Sequence, residues 1–212
     1  MTGFVAACDC TLESEIKRSR FIAVVARERD EEELFSRLGE IRKKYSDATH
    51  VCYAAIFDRT GNAARFSDDG EPSGTAGQPI LEALKKSGLK ETLVAVVRYF
   101  GGIKLGAGGL VRAYSNAAAA ALDRAELARC VKAREIFLSM PFSLFRQAER
   151  LCDRYALQKK TVFSTQACLN LLVENEKTQA FLDELSALNY LIEAQCGAER
   201  DFIIPVGGGE NK

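Results

Sequence analysis

The chain has 212 residues, 47% hydrophobic and 27% charged, with 29 Lys and Arg set against 29 Asp and Glu and a single histidine. That composition supports a real core in one large or two small domains. The charge is balanced 18 to 18 up to Glu126 and 11 to 11 beyond it, which argues against a protein that holds nucleic acid by bulk charge.

No apolar run reaches the roughly 18–20 residues of a bilayer span, so no membrane role is expected. Met1 to Cys10 lacks a basic stretch followed by an apolar one and does not read as a secretory signal. Seven cysteines are dispersed singly apart from Cys8-x-Cys10, a pattern of reduced thiols and a cytoplasmic location.

In chain order, Glu15 to Arg27 reads as a long strand with Phe21, Ala23 and Val25 on one face. Asp30 and Glu33 have the spacing of a capping box. The helix that follows places Leu34, Leu38, Ile41 and Tyr45 on one side and ends on Arg42-Lys43-Lys44. Val51 to Asp58 and Ala64 to Ser67 read as a hairpin turning at Arg59-Thr60-Gly61-Asn62. Gly77 to Lys86 is a helix closed by Gly88, and Thr92 to Tyr99 an apolar, β-branched strand suited to burial on both faces. An alanine-rich helix comes next, its buried side formed by Leu110, Tyr114, Ala117, Ala118, Ala121 and Ala125. The resulting expectation is an antiparallel-rich sheet with helices on one face.

The second half reads β-α-β-β-α-β: strand 128–140, helix 143–155, strands 159–164 and 167–174, helix 176–188 and strand 194–203. Two βαβ units of this length make a ferredoxin-like sandwich. The expected organisation is therefore 1–127, then 128–205, then a flexible tail at 206–212.

Two polar, glycine-heavy loops each follow an apolar segment and lead into a helix. The first carries Ser67, Asp68, Asp69, Gly70, Glu71, Ser73, Gly74 and Thr75; the second carries Arg98, Tyr99, Gly101, Gly102, Lys104, Gly106, Gly108 and Gly109. Glycine lets backbone take positive φ or approach a partner closely, and free amides at a helix start attract anions. Between Thr92 and Leu122 the only charges are Arg98, Lys104 and Arg112, so a locally basic surface for phosphates is expected there. The two loops are expected to lie side by side at one end of the sheet. Gly101 and Gly106 have Walker spacing, but Ala107-Gly108 replaces Lys-Ser/Thr. Val111 stands where a dinucleotide fingerprint needs its third glycine.

Ser67 to Thr75, Arg98 to Leu110 and the following Val111-Arg112-Ala113-Tyr114 resemble the signature of the YigZ/IMPACT family of translation-linked proteins. Ser19-Arg20-Phe21-Ile22-Ala23 and Asp47-Ala48-Thr49-His50-Val51-Cys52 are similar to its weaker upstream markers. The resemblance spans roughly residues 15–125 and implies an α+β chain. Its N-terminal part would be a ribosomal-protein-S5-domain-2-like fold, followed by the ferredoxin-like βαββαβ sandwich. Eukaryotic members carry a further N-terminal interaction domain; about fourteen residues precede the first expected strand here, too few for one. That branch's partner is not carried over.

Other residues admit chemistry. Asp68, Asp69 and Glu71 could hold Mg²⁺ through waters, but Asp-Gly and Glu-Pro are good turn chemistry, and no metal is expected. Ser73 and Thr75 lack a nucleophile elbow. His50 and Cys52 share a strand face without a third ligand for zinc, and His50 reads as a histidine hydrogen-bonded at a strand start. Arg146, Arg150 and Arg154 line one helix face with Glu149 and Asp153 between them, a salt-bridged surface or a secondary RNA contact.

No catalytic residue and no cofactor are expected. The leading reading is a non-catalytic regulator of translation that binds RNA or a ribosome-associated partner through the glycine-rich basic surface. The alternatives are an enzyme acting on a small phosphorylated or nucleotide ligand, and a protein-interaction module.

Overall fold

The computed structural model describes residues 4–206, and the tail expected from residue 206 lies, beyond Val206, outside them. Within them, 4–129 with 205–206 form one compact unit and 130–204 another. The class is mixed α+β, with two antiparallel sheets and five α-helices among the described residues.

In the first unit the strands are Phe4–Ala6 (β1), Cys10–Ile16 (β2), Ser19–Arg27 (β3), His50–Ile56 (β4), Ala64–Ser67 (β5) and Thr92–Tyr99 (β6), and the helices are Glu31–Lys44 (α1), Gly77–Ser87 (α2) and Ala107–Arg124 (α3). The main sheet runs β2-β3-β6-β4-β5 with every neighbouring pair antiparallel. The single strand expected over Glu15–Arg27 is instead a hairpin. Lys17 and Arg18 turn the chain with φ of 49° and 65°, and neither is the Asn or Gly that signals such a turn. The segment expected to precede all strands itself holds β1 and β2. β1 pairs with Leu127–Arg129, the start of the strand Leu127–Met140 (β7).

Helices cover both faces of this sheet, not one. Phe21, Ala23, Val25, Cys52, Ile56, Val94 and Val96 pack with α2 and α3. Their neighbours Ile22, Val24, Val51, Ala55, Leu93, Ala95 and Val97 pack with Leu34, Leu38 and Ile41 of α1. The period of two sends alternate residues to opposite faces, and β3, β4 and β6 are apolar at both, so each face needs a cover. Full burial of one such Ile, Leu or Val contributes about 1.5–3 kcal/mol. On α3, Ala113, Ala117, Ala118 and Ala121 are buried beside Tyr114.

Helix α1 starts as its sequence dictates. Asp30 Oδ1 accepts from Glu33 N at 2.9 Å, and Glu33 Oε2 accepts from Arg29 N at 2.8 Å. Helix α2 ends at Gly88, which is left-handed at φ 76°.

The second unit contains the rest of β7, a 3₁₀ turn at 142–144, Phe145–Tyr155 (α4), Ala156–Phe163 (β8), Ala167–Glu174 (β9), Asn175–Leu188 (α5) and all but the last residue of Glu193–Pro205 (β10). β9 lies between β7 and β8, and β10 pairs with β7. Ile136, Leu138, Leu169, Leu171 and Val173 meet Ala148, Leu151, Phe181 and Leu185 of the two helices.

Candidate binding site at the paired glycine loops

Strands β5 and β6 are both antiparallel to β4 and therefore run in the same direction. Their C-terminal ends release the two glycine-rich loops at one end of the sheet, as expected. The loops are tied together inside. Glu71 of the first accepts from Arg98 Nη1 at 2.5 Å and from the Tyr114 hydroxyl at 2.8 Å, all three residues buried. In register, Arg98 lies between Phe21 on β3 and His50 on β4. Its guanidinium also sits 5.6 Å from the Phe21 ring centroid and 5.5 Å from that of Phe100. Arg98 Nη2 reaches Ser19 Oγ at 3.4 Å, and the same hydroxyl accepts from Gly101 N at 3.2 Å.

The acidic loop faces inward. Asp68 accepts from the backbone N–H of Gly74, Ala76 and Gly77 at 2.8–2.9 Å, so the start of α2 is filled by the protein's own carboxylate. Partial desolvation pushes the Asp68 pKa up, but the three N–H donors outweigh it and the net shift is down. Asp69 accepts from Val51 N at 2.6 Å and from Arg42 at 2.8 Å, and its N–H donates to Ser67 Oγ at 3.2 Å. The Asp69 carbonyl lies 2.7 Å from His50 Nδ1; a carbonyl only accepts, so Nδ1 carries the proton. The Cys52 thiol donates to the Asp68 carbonyl at 3.0 Å. Burial, above all, pushes that thiol up to about 12 and Tyr114 upward as well.

Thr75 Oγ1 donates to the Pro72 carbonyl at 2.6 Å, while Gly70, Ser73 and Gly74 are exposed. Asp68, Asp69 and Glu71 thus serve three separate sets of partners. Among the described residues no group of three or more His, Cys, Asp or Glu could hold a metal ion.

The second loop divides into a buried start and an exposed tip. Arg98 is buried on Glu71, so the locally basic surface expected from Arg98, Lys104 and Arg112 loses its first member, and Tyr99 donates its hydroxyl to Asp47 at 2.9 Å. Gly101 is needed for close approach, since a Cβ there would lie 1.9 Å from the Arg18 carbonyl oxygen. Gly106 precedes α3 at φ 71° with no side-chain cap. Gly102, Lys104, Gly106, Gly108 and Arg112 are exposed, Gly109 half-buried, and Phe100, Ile103 and Val111 stand exposed with them. Leu110 N is bonded to the Gly106 carbonyl at 2.9 Å, which leaves the three preceding amides at the open end of the helix.

In the second unit, Arg154 pairs with Glu184, and Lys159 with Glu149 and Asp153. Arg146 and Arg150 are exposed, without an ion-pair partner among the described residues. Sequence reasoning did not bring Ser19, Cys52 and Tyr114 to the centre of the site. The available signal was a tyrosine on the buried side of an alanine-rich helix, where a hydroxyl needs a partner.

The Impact N-terminal domain family matches residues 17–122, a span that contains both loops and the Glu71–Arg98–Tyr114 cluster. "IMPACT family member YvyE" of Bacillus subtilis is 37% identical over 174 residues, covering 82% of this chain and 80% of that one. "IMPACT family member YigZ" of Escherichia coli is 38% identical over 154 residues, covering 70% and 76%. A solved structure described as "Crystal structure of an hypothetical protein" aligns over 93% of this chain and 98% of its own at 31% identity, with a TM-score of 0.63. On these matches, the chain belongs to the IMPACT family.

Proposed function

We infer that this protein is a non-catalytic regulator of translation that binds RNA or a ribosome-associated partner through the exposed part of the second loop. The observation that carries the reading is the pair Lys104 and Arg112. They are exposed, without ion-pair partners among the described residues, and they flank the glycine-rich start of α3, Lys104 in the loop before it and Arg112 one turn into the helix. Lys104 precedes the N-cap Gly106 and Arg112 stands in the second turn of α3, so an anion bound at the free amides of the helix start would lie within reach of cations on either side. IMPACT-family membership, with its link to translation, supports the same direction. Within this reading the first unit is a ribosomal-protein-S5-domain-2-like fold, the second a ferredoxin-like sandwich, and the protein cytoplasmic.

Fluorescence titrations of wild type, Lys104→Ala and Arg112→Ala against RNA at several salt concentrations test it. Each cation withdrawn from a phosphate should lower the slope of log affinity against log salt by roughly 0.7–0.9. Unchanged affinity and slope in both variants would remove this surface from RNA binding. A protein partner is the second reading, favoured by exposed Phe100, Ile103 and Val111 beside the cations.

A further inference from the structure

The turn between β2 and β3 is built from two residues that do not suit it. Lys17 and Arg18 stand consecutively in the left-handed region, at φ 49° and 65°. Two-residue hairpin turns with positive φ at both positions prefer Asn-Gly, because a bulky side chain there is strained. Backbone kept in such a conformation by unsuited residues points to a role for the side chains. The location fits, because the Arg18 carbonyl lies against Gly101, where even a methyl group would collide with it at 1.9 Å. Both side chains are exposed and, like Lys104 and Arg112, have no ion-pair partner among the described residues.

Phe100 immediately precedes Gly101 and is 46% exposed. Its backbone is fixed by Phe100 N donating to Thr49 Oγ1 at 3.0 Å. The Arg98 guanidinium lies over both the Phe21 and the Phe100 ring, 5.6 Å and 5.5 Å from their centroids. A half-exposed ring with a buried cation beside it offers a surface on which one more planar group can stack, and nucleobases stack on such rings whatever their sequence.

We propose that Phe100 and the Lys17–Arg18 turn form a site for single-stranded RNA, in which an unstacked base lies on Phe100 and the flanking phosphates meet Lys17 and Arg18. This rests on the RNA reading above and deepens it. It assigns residues outside the basic loop, and it chooses single strands over duplex, because a duplex keeps its base faces stacked internally. Cations of one sign beside an exposed aromatic favour a polyanion with planar bases.

The test uses the full chain and a fluorescent, unstructured RNA of about 12 nucleotides, compared with its duplex. Wild type should prefer the single strand. Phe100→Ala should weaken single-strand binding about tenfold, the scale of one missing base–aromatic stack. The double variant Lys17→Asn/Arg18→Gly, which supplies the residues the turn prefers, should melt no lower than wild type. It should nevertheless bind more weakly, with the salt slope reduced by roughly 0.7 for each phosphate left without its cation.

Equal affinity for duplex and single strand would overturn the proposal. So would wild-type binding in both Phe100→Ala and the turn variant; if Lys104→Ala and Arg112→Ala still lost affinity in the same series, the broader RNA reading would stand. If wild type bound neither RNA, both readings would fall together.

Discussion

Glu71 and Arg98 meet at 2.5 Å in the interior of the first unit, with their side chains 4% and 6% exposed. This ion pair makes one structure of two loops that are 27 residues apart in sequence. Removing one partner leaves the other as an uncompensated buried charge, a cost of about 3–5 kcal/mol.

Glu71→Ala and Arg98→Ala are therefore each expected to destabilise the protein by about 3–5 kcal/mol in urea unfolding. The double variant should cost clearly less than the sum of the two. Additive costs would mean that the pair is not coupled. Tyr114→Phe removes one donor to the same carboxylate and should cost about 1–3 kcal/mol.

Asp68 occupies the start of α2, so Asp68→Ala should cost about 1–2 kcal/mol, as the loss of a strong N-cap does. Its folded pKa is lowered. The stabilisation it gives is thus present above the unfolded value of about 3.9 and lost as pH falls through the folded value. Melting temperatures of wild type and Asp68→Asn should differ at pH 7 and converge at strongly acid pH. A constant difference across that range would refute the assignment.

Cys52 should resist thiol reagents in the native state at neutral pH, whereas the exposed Cys8 and Cys196 should react first. With its pKa raised to about 12, mainly by burial, Cys52 contributes stability that is full below the unfolded value of about 8.5. That contribution is lost as pH rises toward 12. Cys52→Ala should flatten the alkaline fall in stability, as measured by urea titrations between about pH 8 and about 11. Rapid labelling of Cys52 in folded protein would contradict its placement.

Gly101→Ala should cost at least about 1–3 kcal/mol, because its methyl group meets backbone, not a movable side chain. Gly102→Ala, in open space but at φ 82°, should cost about 1 kcal/mol through backbone conformation alone. Thermal melts of the two variants distinguish these origins.

The sequence by itself determined the local elements and the family. Asp30 and Glu33 three residues apart, apolar residues recurring at helical spacing through α1 and α3, and Gly88 at a helix end are read from neighbours a few positions away. Local backbone sterics and capping decide such features. The two loop motifs carry the IMPACT resemblance because their literal residues lie within short contiguous runs. Tertiary structure alone decided what those residues do. Arg98 looked like one of three surface cations, yet β6 delivers it against Glu71, 27 positions earlier, and low dielectric turns it into an interior anchor. Asp68 closes a helix start that the sequence offers as open, since a carboxylate eight residues away in the chain can fold back onto Ala76 N. The break at Lys17–Arg18 was hidden because two long cations give no turn signal, and only the pairing of β2 with β3 and the close fit against Gly101 hold them there. Long-range pairing has no periodicity to read in one chain; it is settled when the strands find their register and the polar groups that burial isolates from water find partners.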